Sequence, residues 1–361
     1  MPRPKSKTAW DFLQDKITKG AKMNKKIIVT GGTGYIGSHT TVALQNAGFS
    51  VVIMDNLSNS TMTSIDGIEQ ITGIRPEFIK VDCADAVALK TAFAKHSDAI
   101  GVIHFAALKA VGESVEKPLL YYRNNLNCLI NVLDMMCEFN ISNIVFSSSA
   151  TVYGVPDVLP VTEETPLQPA TSPYGQTKVM AENIIRDTVR AYPRIHATLL
   201  RYFNPIGAHP SGLIGELPNG VPNNLMPYIT QTVAGIRPFL NIFGDDYDTP
   251  DGYCVRDYID VNDLANAHVA AMRHMMDNSD GISVFNLGTG HGVSVMELVK
   301  KFEIATGLTV PYKIAPRRSG DVPSIWADAS LAYRVLGWRA ETSLQDTLAS
   351  AWRWQEKLNN K

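Results

Sequence analysis

The feature that most constrains the fold is a set of three glycines at three-residue spacing, Gly31, Gly34 and Gly37 in GGTGYIG. They sit between an apolar run, KKIIVT, and a helix-length stretch, YIGSHTTVALQNAG, that closes on Gly48. Glycines so placed let the chain turn tightly at a strand end and let its backbone approach a ligand closely. The helix that follows points free N–H groups and its positive dipole end at the same place. A second apolar run, SVVIMD, ends on Asp55. Strand, glycine turn, helix and strand make a βαβ unit with parallel strands and a right-handed crossover. A pyrophosphate fits the loop, and an acid about 20 residues on is placed to bond ribose hydroxyls and to repel a 2′-phosphate. NAD is therefore the expected cofactor, in preference to NADP.

The alternation continues along the chain. EFIKVD, GVIHFAA, NIVFSSS and HATLLRYFN read as further strands, and 84–95, 119–139 and 174–190 read as helices between them. Short apolar strands of this kind suit a sheet buried on both faces, so the fold class is α/β: a Rossmann-type, doubly wound parallel sheet. After Arg201 the texture changes to loops rich in Pro, Gly and Asn, such as FNPIGAHPSG, ELPNGVPNNLMP and GDDYDTPDG. Loops of that length in a compact protein are usually functional. The expected division is an NAD-binding domain over 23–201 and, over 202–361, a smaller α/β lobe mainly for substrate. VFNLGTG is the exception, a strand-like run that can return to the first sheet. Residues 1–22 carry six Lys and Arg against two Asp and read as a disordered extension or leader.

Composition narrows the partners. In 361 residues the net charge is -2 and charged residues make up 19%, so no basic field exists to hold nucleic acid. No apolar run approaches the ~20 residues of a membrane span. Cys83, Cys128, Cys137 and Cys254 have no metal-like spacing and read as buried reduced thiols, which suits the cytoplasm; no metal site is expected.

Candidate chemistry lies in SPYGQTK. With Pro173 in the first turn of a helix, Tyr174 and Lys178 fall one turn apart on the same face. A phenol titrates near ~10, so a tyrosine base at neutral pH needs cations to hold its anion, at about 1–3 pH units for each close one. Lys178 is one such cation, and an oxidised nicotinamide would be a second. The strand NIVFSSS ends on Ser149, which is placed to bond a reacting hydroxyl, whereas Ser147 and Ser148 read equally well as plain strand-end polar residues.

Taken in order, GGTGYIGSHT, HFAALKAVGES, FSSSATVYG, SPYGQTK, RYFNPIGAHPSG, PNNLMPYI, VRDYI and APRRSGD resemble the UDP-glucose 4-epimerases, extended short-chain dehydrogenase/reductases. The likeness runs from about Lys26 to near Trp354. It implies a tightly held NAD and interconversion of UDP-glucose and UDP-galactose through a 4-keto sugar. Tyr174 would be the base, with Ser149 and Lys178 beside it. By the same likeness Gly31, Gly34, Tyr35, Ile36, Gly37, Asp55, Asn56, Asp82, Cys83, Phe105, Ala106, Lys109, Asn124 and Tyr202, with the catalytic three, contact NAD. Arg256 and Arg318 would clamp the diphosphate and Asp321 meet the uridine ribose. Asn204, Asn224 and Leu225 would contact phosphate and uracil, with Asn241, Phe243, Lys109 and the catalytic Ser149 and Tyr174 also on the substrate. Arg317, next to Arg318, reads as solvated. Ile325 falls where the family gates the hexose pocket by bulk, so a preference for plain over N-acetylated hexoses is expected. The family is commonly a homodimer through helices that here are 119–139 and 174–190. The related 4,6-dehydratases carry an acid pair before VYG, where this chain has Ala150 and Thr151, and a noncatalytic NAD-binding module would lack Tyr174 or Lys178.

Overall fold

The computed structural model describes residues 25–278, 280–318 and 320–360, so the reading of residues 1–22 lies outside the described residues. The elements run β1 (Lys26–Thr30), α1 (Tyr35–Asn46), β2 (Ser50–Asp55), α2 (Thr63–Thr72), β3 (Glu77–Lys80), α3 (Ala86–Ala94), β4 (Gly101–His104), α4 (Val111–Glu116), α5 (Pro118–Phe139), β5 (Asn143–Ser149), a 3-10 turn (Ala150–Tyr153), α6 (Pro173–Ala191) and β6 (His196–Tyr202). Then follow β7 (Asn204–Ile206), α7 (Leu225–Val233), β8 (Leu240–Phe243), β9 (Val255–Arg256), β10 (Tyr258–Asp260), α8 (Val261–Asp277), β11 (Ile282–Leu287), β12 (Val293–Ser294), α9 (Val295–Thr306), β13 (Tyr312–Ala315), β14 (Ser324–Ile325), α10 (Ser330–Leu336) and α11 (Leu344–Asn359).

The strand period of two explains the layering. Ile27 and Val29 of β1 point into one apolar cluster, with Val42 and Leu44 of α1 and Leu264 and Met272 of α8. Ile28 points into the other, with Phe93 of α3, Leu129 and Val132 of α5 and Ile185 of α6. Helices thus cover both faces of a seven-stranded parallel sheet of order β11-β6-β5-β4-β1-β2-β3. The order reverses between β1 and β4, and ligands of such sheets bind beyond the carboxyl ends of the strands at that switch. The segments after Tyr202 do not all leave this sheet. β11, the run suspected of returning, pairs with β6, and α8 packs against α1. α10 packs on the first cluster as well, and much of the remainder gathers on a third that includes Ile206, Ile229, Ile242, Leu298, Phe302 and Leu348.

The turn between β1 and α1 is set by close backbone approach. A Cβ on Gly37 would lie 2.3 Å from the Gly31 carbonyl oxygen and 2.7 Å from Gly32 Cα, and one on Gly31 would lie 2.7 Å from the Ala106 nitrogen. Gly31 also has φ of 70°, in the left-handed region. Among the described residues no helix is long and apolar enough to cross a membrane. The four cysteines are free; Cys83, Cys128 and Cys254 are buried, while Cys137 is only half-buried, a correction to the reading that buries all four.

Gly37→Ala forces backbone apart and is expected to cost about 1–3 kcal/mol, read as a lower urea midpoint, with loss of bound dinucleotide. An unchanged midpoint and full occupancy would show that the loop tolerates a side chain there.

Candidate active site

The site forms where β5 ends and α6 begins. Pro173 occupies the first turn of α6, and the Ser172 hydroxyl caps it by accepting from the Gly175 N–H at 3.1 Å. This fixes Tyr174 and Lys178 one turn apart. Lys178 is buried and donates to the Ser147 carbonyl at 2.6 Å, its ammonium 5.8 Å from the centre of the Tyr174 ring and 4.9 Å from that of Phe146. Ser149 ends β5 and accepts from the Thr151 N–H at 3.2 Å, capping the 3-10 turn.

The electrostatics differ from the sequence reading in one respect. Burial pushes the Tyr174 phenol up to about 12, with a hydrogen bond from Ser149 opposing the rise. Burial also pushes Lys178 down to about 8, with Glu182 opposing. The lysine alone therefore does not lower its neighbour's pKa, because desolvation outweighs a cation that leans toward a carbonyl.

The cradle for a dinucleotide is assembled around α1. Its N-terminus has no side-chain cap and no acid in its first turn, where Tyr35, Ile36 and Gly37 lie. Asp85, Ser172, Asp260, Ser294 and Ser343 by contrast cap α3, α6, α8, α9 and α11. Uncapped N–H groups beside a glycine turn suit a phosphate, so the residues fit NAD. Asp55, at the end of β2, accepts from the Thr33 N–H at 3.2 Å and the Leu57 N–H at 2.8 Å, so it shapes the loop as well as facing it. Asn56 donates to Asp82 at 3.1 Å, and the Cys83 carbonyl accepts from Asn131 at 2.9 Å. Phe105 and Ala106 follow β4 directly. Asn124 bonds its neighbour Asn125 at 3.0 Å, and Tyr202 at the end of β6 bonds the Ser147 hydroxyl.

On the other side, β9 and β14 bring the basic residues together. Arg318 grips Asp321 with two bonds, at 2.8 and 3.2 Å, and Arg256 approaches the same carboxylate at 4.0 Å. Phe243 lies under the Arg318 guanidinium, 5.6 Å from it. Arg317 is not merely solvated: it pairs with Asp246 at 2.7 Å and lies over Tyr247. Ile325 pairs in register with Arg256 and is 93% buried, packed with Ala150, Val152 and Phe203 beside the turn that follows Ser149. Asn204 lies in β7 and Asn241 in β8, the strand that ends on Phe243. Asn224 precedes α7, whose first residue is Leu225.

Three residues escaped the sequence reading. Glu216 accepts from Lys109 at 3.1 Å and from Asn224 at 2.6 Å, joining a residue expected at the cofactor to one expected at the substrate. Lys109 is 107 residues away from it, so no local pattern marks that pairing. Glu182 and Arg201 form a buried pair next to Lys178. The four-residue spacing from Lys178 to Glu182 was a usable signal.

Comparison with known proteins gives the family. The family model described as GDP-mannose 4,6 dehydratase matches residues 28–351. The UDP-glucose 4-epimerase of Bacillus subtilis is 52% identical over 334 residues, 92% of this chain and 98% of its own. That of Bos taurus is 50% identical over 341 residues, 93% of this chain and 97% of its own. The crystal structure of UDP-glucose 4-epimerase from Bifidobacterium longum in complex with NAD+ and UDP superposes with a TM-score of 0.90 at 48% identity, covering 93% of this chain and 99% of that one.

Ser172→Ala removes the cap that starts the Tyr174 helix and is expected to lower stability by about 1 kcal/mol in urea denaturation. No loss would mean that the cap bond does not hold this turn.

Proposed function

The chain belongs to the UDP-glucose 4-epimerase family, and we propose that Tyr174, Ser149 and Lys178 are the groups with which it carries out the reaction. The protein is an isomerase that interconverts UDP-glucose and UDP-galactose at C4 of the hexose. The chemistry that NAD supplies when bound is reversible removal of the C4 hydride, which takes the sugar through a 4-keto form. Tyr174 takes the proton of the 4-hydroxyl and later returns it, Ser149 bonds that same oxygen, and Lys178 holds positive charge near the phenol. The observation that carries this reading is the fixed turn itself: a phenol and a buried ammonium one turn apart, facing the last residue of β5.

Inverting C4 requires that the nucleotide stay while the hexose turns. Arg256 and Arg318, with forked donors suited to a diphosphate, would hold one end, with Asp321 at the ribose and Phe243 beneath. Asn204, Asn224, Leu225 and Asn241 would complete the nucleotide wall, and Lys109 would reach both ligands. The three glycines, Tyr35, Ile36, Asp55, Asn56, Asp82, Cys83, Phe105, Ala106, Asn124 and Tyr202 would hold NAD. Dehydration, the activity that the matching family model's description names, is disfavoured here because Ala150 and Thr151 bring no acid or base to the turn after β5.

Two further readings follow. The chain pairs with a second copy through α5 and α6, which leave Leu119, Leu120, Ile130 and Met180 exposed. Its four free thiols suit the cytoplasm.

Tyr174→Phe should lower kcat by roughly 100- to 10,000-fold while the protein still retains NAD, as read by extraction and ultraviolet assay. Full turnover would remove Tyr174 as the base. Ile325→Ala should raise kcat/KM for UDP-N-acetylglucosamine relative to UDP-glucose by about tenfold or more, as one side chain's bulk allows. An unchanged ratio would remove Ile325 from the hexose pocket.

A further inference from the structure

Beneath the catalytic turn lies an ion pair that the reaction as described does not use. Lys178 and Glu182 stand one turn apart on α6, and both are buried. The Glu182 carboxylate accepts from Ser148 Oγ at 2.6 Å and from Arg201 Nε and Nη2 at 2.8 and 2.6 Å. Ser148 and Arg201 are register partners on β5 and β6. Successive residues of β5 thus hold the two opposite charges of one helical turn, Ser147 through its carbonyl to Lys178 and Ser148 through its hydroxyl to Glu182. Arg201 is held in turn, donating to the Tyr153 hydroxyl at 3.0 Å, which donates to Asn286 at 2.7 Å.

A buried ion pair is seldom retained for stability alone, since apolar residues of similar volume often serve as well. We propose that Glu182 is a positioning residue for the epimerase reaction: anchored by Ser148 and Arg201, its fixed negative charge keeps the Lys178 amine protonated beside Tyr174. This rests on the reading that makes Lys178 the cation next to the base. The titratable groups packed around the turn leave Glu182 as the source of that charge. On α6 they are Tyr174 and Glu182; on α5, Tyr121; on β4, His104, which burial pushes down to about 3; on β6, Arg201 and Tyr202; and on the 3-10 turn, Tyr153. Burial raises the four tyrosines, so all of them are neutral at neutral pH. Arg201 is committed to Glu182. Arg186, half-exposed on the next turn, is a looser partner of the same carboxylate at 3.8 Å.

The test reads the amine directly. The full-length protein is prepared with isotope-labelled lysine, and the Lys178 signal, identified by its loss in Lys178→Met, is titrated by NMR. Glu182→Gln should lower its midpoint by about one pH unit or more, and the alkaline limb of the kcat profile should fall with it. Arg201→Met, which leaves the carboxylate without its main counter-charge, should raise the midpoint. The double variant removes Glu182 and Arg201 together, so neither is left buried without the other; it remains measurable where a single variant fails to fold, and its midpoint should also lie below that of the parent. A merely structural role would damage both single variants alike. Shifts in one direction for both, or a midpoint unmoved in the double variant, would overturn the proposal. A failure of the Tyr174 assignment would instead appear in turnover and leave these titrations as they are.

Discussion

The Lys178 ammonium rests on the Ser147 carbonyl at 2.6 Å, and the arrangement of the site depends on that contact. It ties the second turn of α6 to β5 two residues before the strand ends, and so helps to set the amine relative to the phenol and Ser149. The contact lies in a dry place, and dryness acts on each group differently. It raises the phenol and lowers the amine, and each pH unit separating a tyrosine near 12 from neutrality costs about 1.4 kcal/mol. An enzyme that needs both groups charged must bring further charge to them. Glu182 supplies it for the amine from within the chain, and the dinucleotide cradle lies where a cationic ring would supply it for the phenol.

Much of this was legible because it is local. The βαβ unit, Asp55 at the end of β2 and the Tyr174–Lys178 turn all lie within short windows in which strand and helix periods differ and glycines mark the turn. VFNLGTG was legible as a strand that could return to the first sheet, and as β11 it pairs with β6. What composition and periodicity left dark was contact between distant segments. Lys109 meets Glu216 and Asn224 only because the fold brings distant segments together, and Arg256 reaches the Asp321 carboxylate that Arg318 grips only because β14 pairs with β9. All of those positions except Glu216 were named through resemblance, and their mutual geometry came from the fold.

The two halves of the site use charge in opposite ways. Around Tyr174 it is sparse, buried and individually anchored, which suits a proton that must move between two defined oxygens. Around Asp321 it is plentiful and half-exposed, which suits a nucleotide that binds and leaves. Ile325 and the turn after β5 form an apolar wall between them, which under the proposed function would face the hexose and offer it few polar grips. Firm holding of the nucleotide with loose holding of the sugar is what inversion at C4 requires.

The most direct test of the account is to incubate the purified chain with UDP-galactose, with no cofactor added, and to follow both the sugar nucleotide and the absorbance of reduced nicotinamide. The account predicts that UDP-glucose accumulates to a fixed equilibrium ratio with no net reduction. A chain that carries no pyridine nucleotide, cannot acquire one and leaves UDP-galactose unchanged would contradict it.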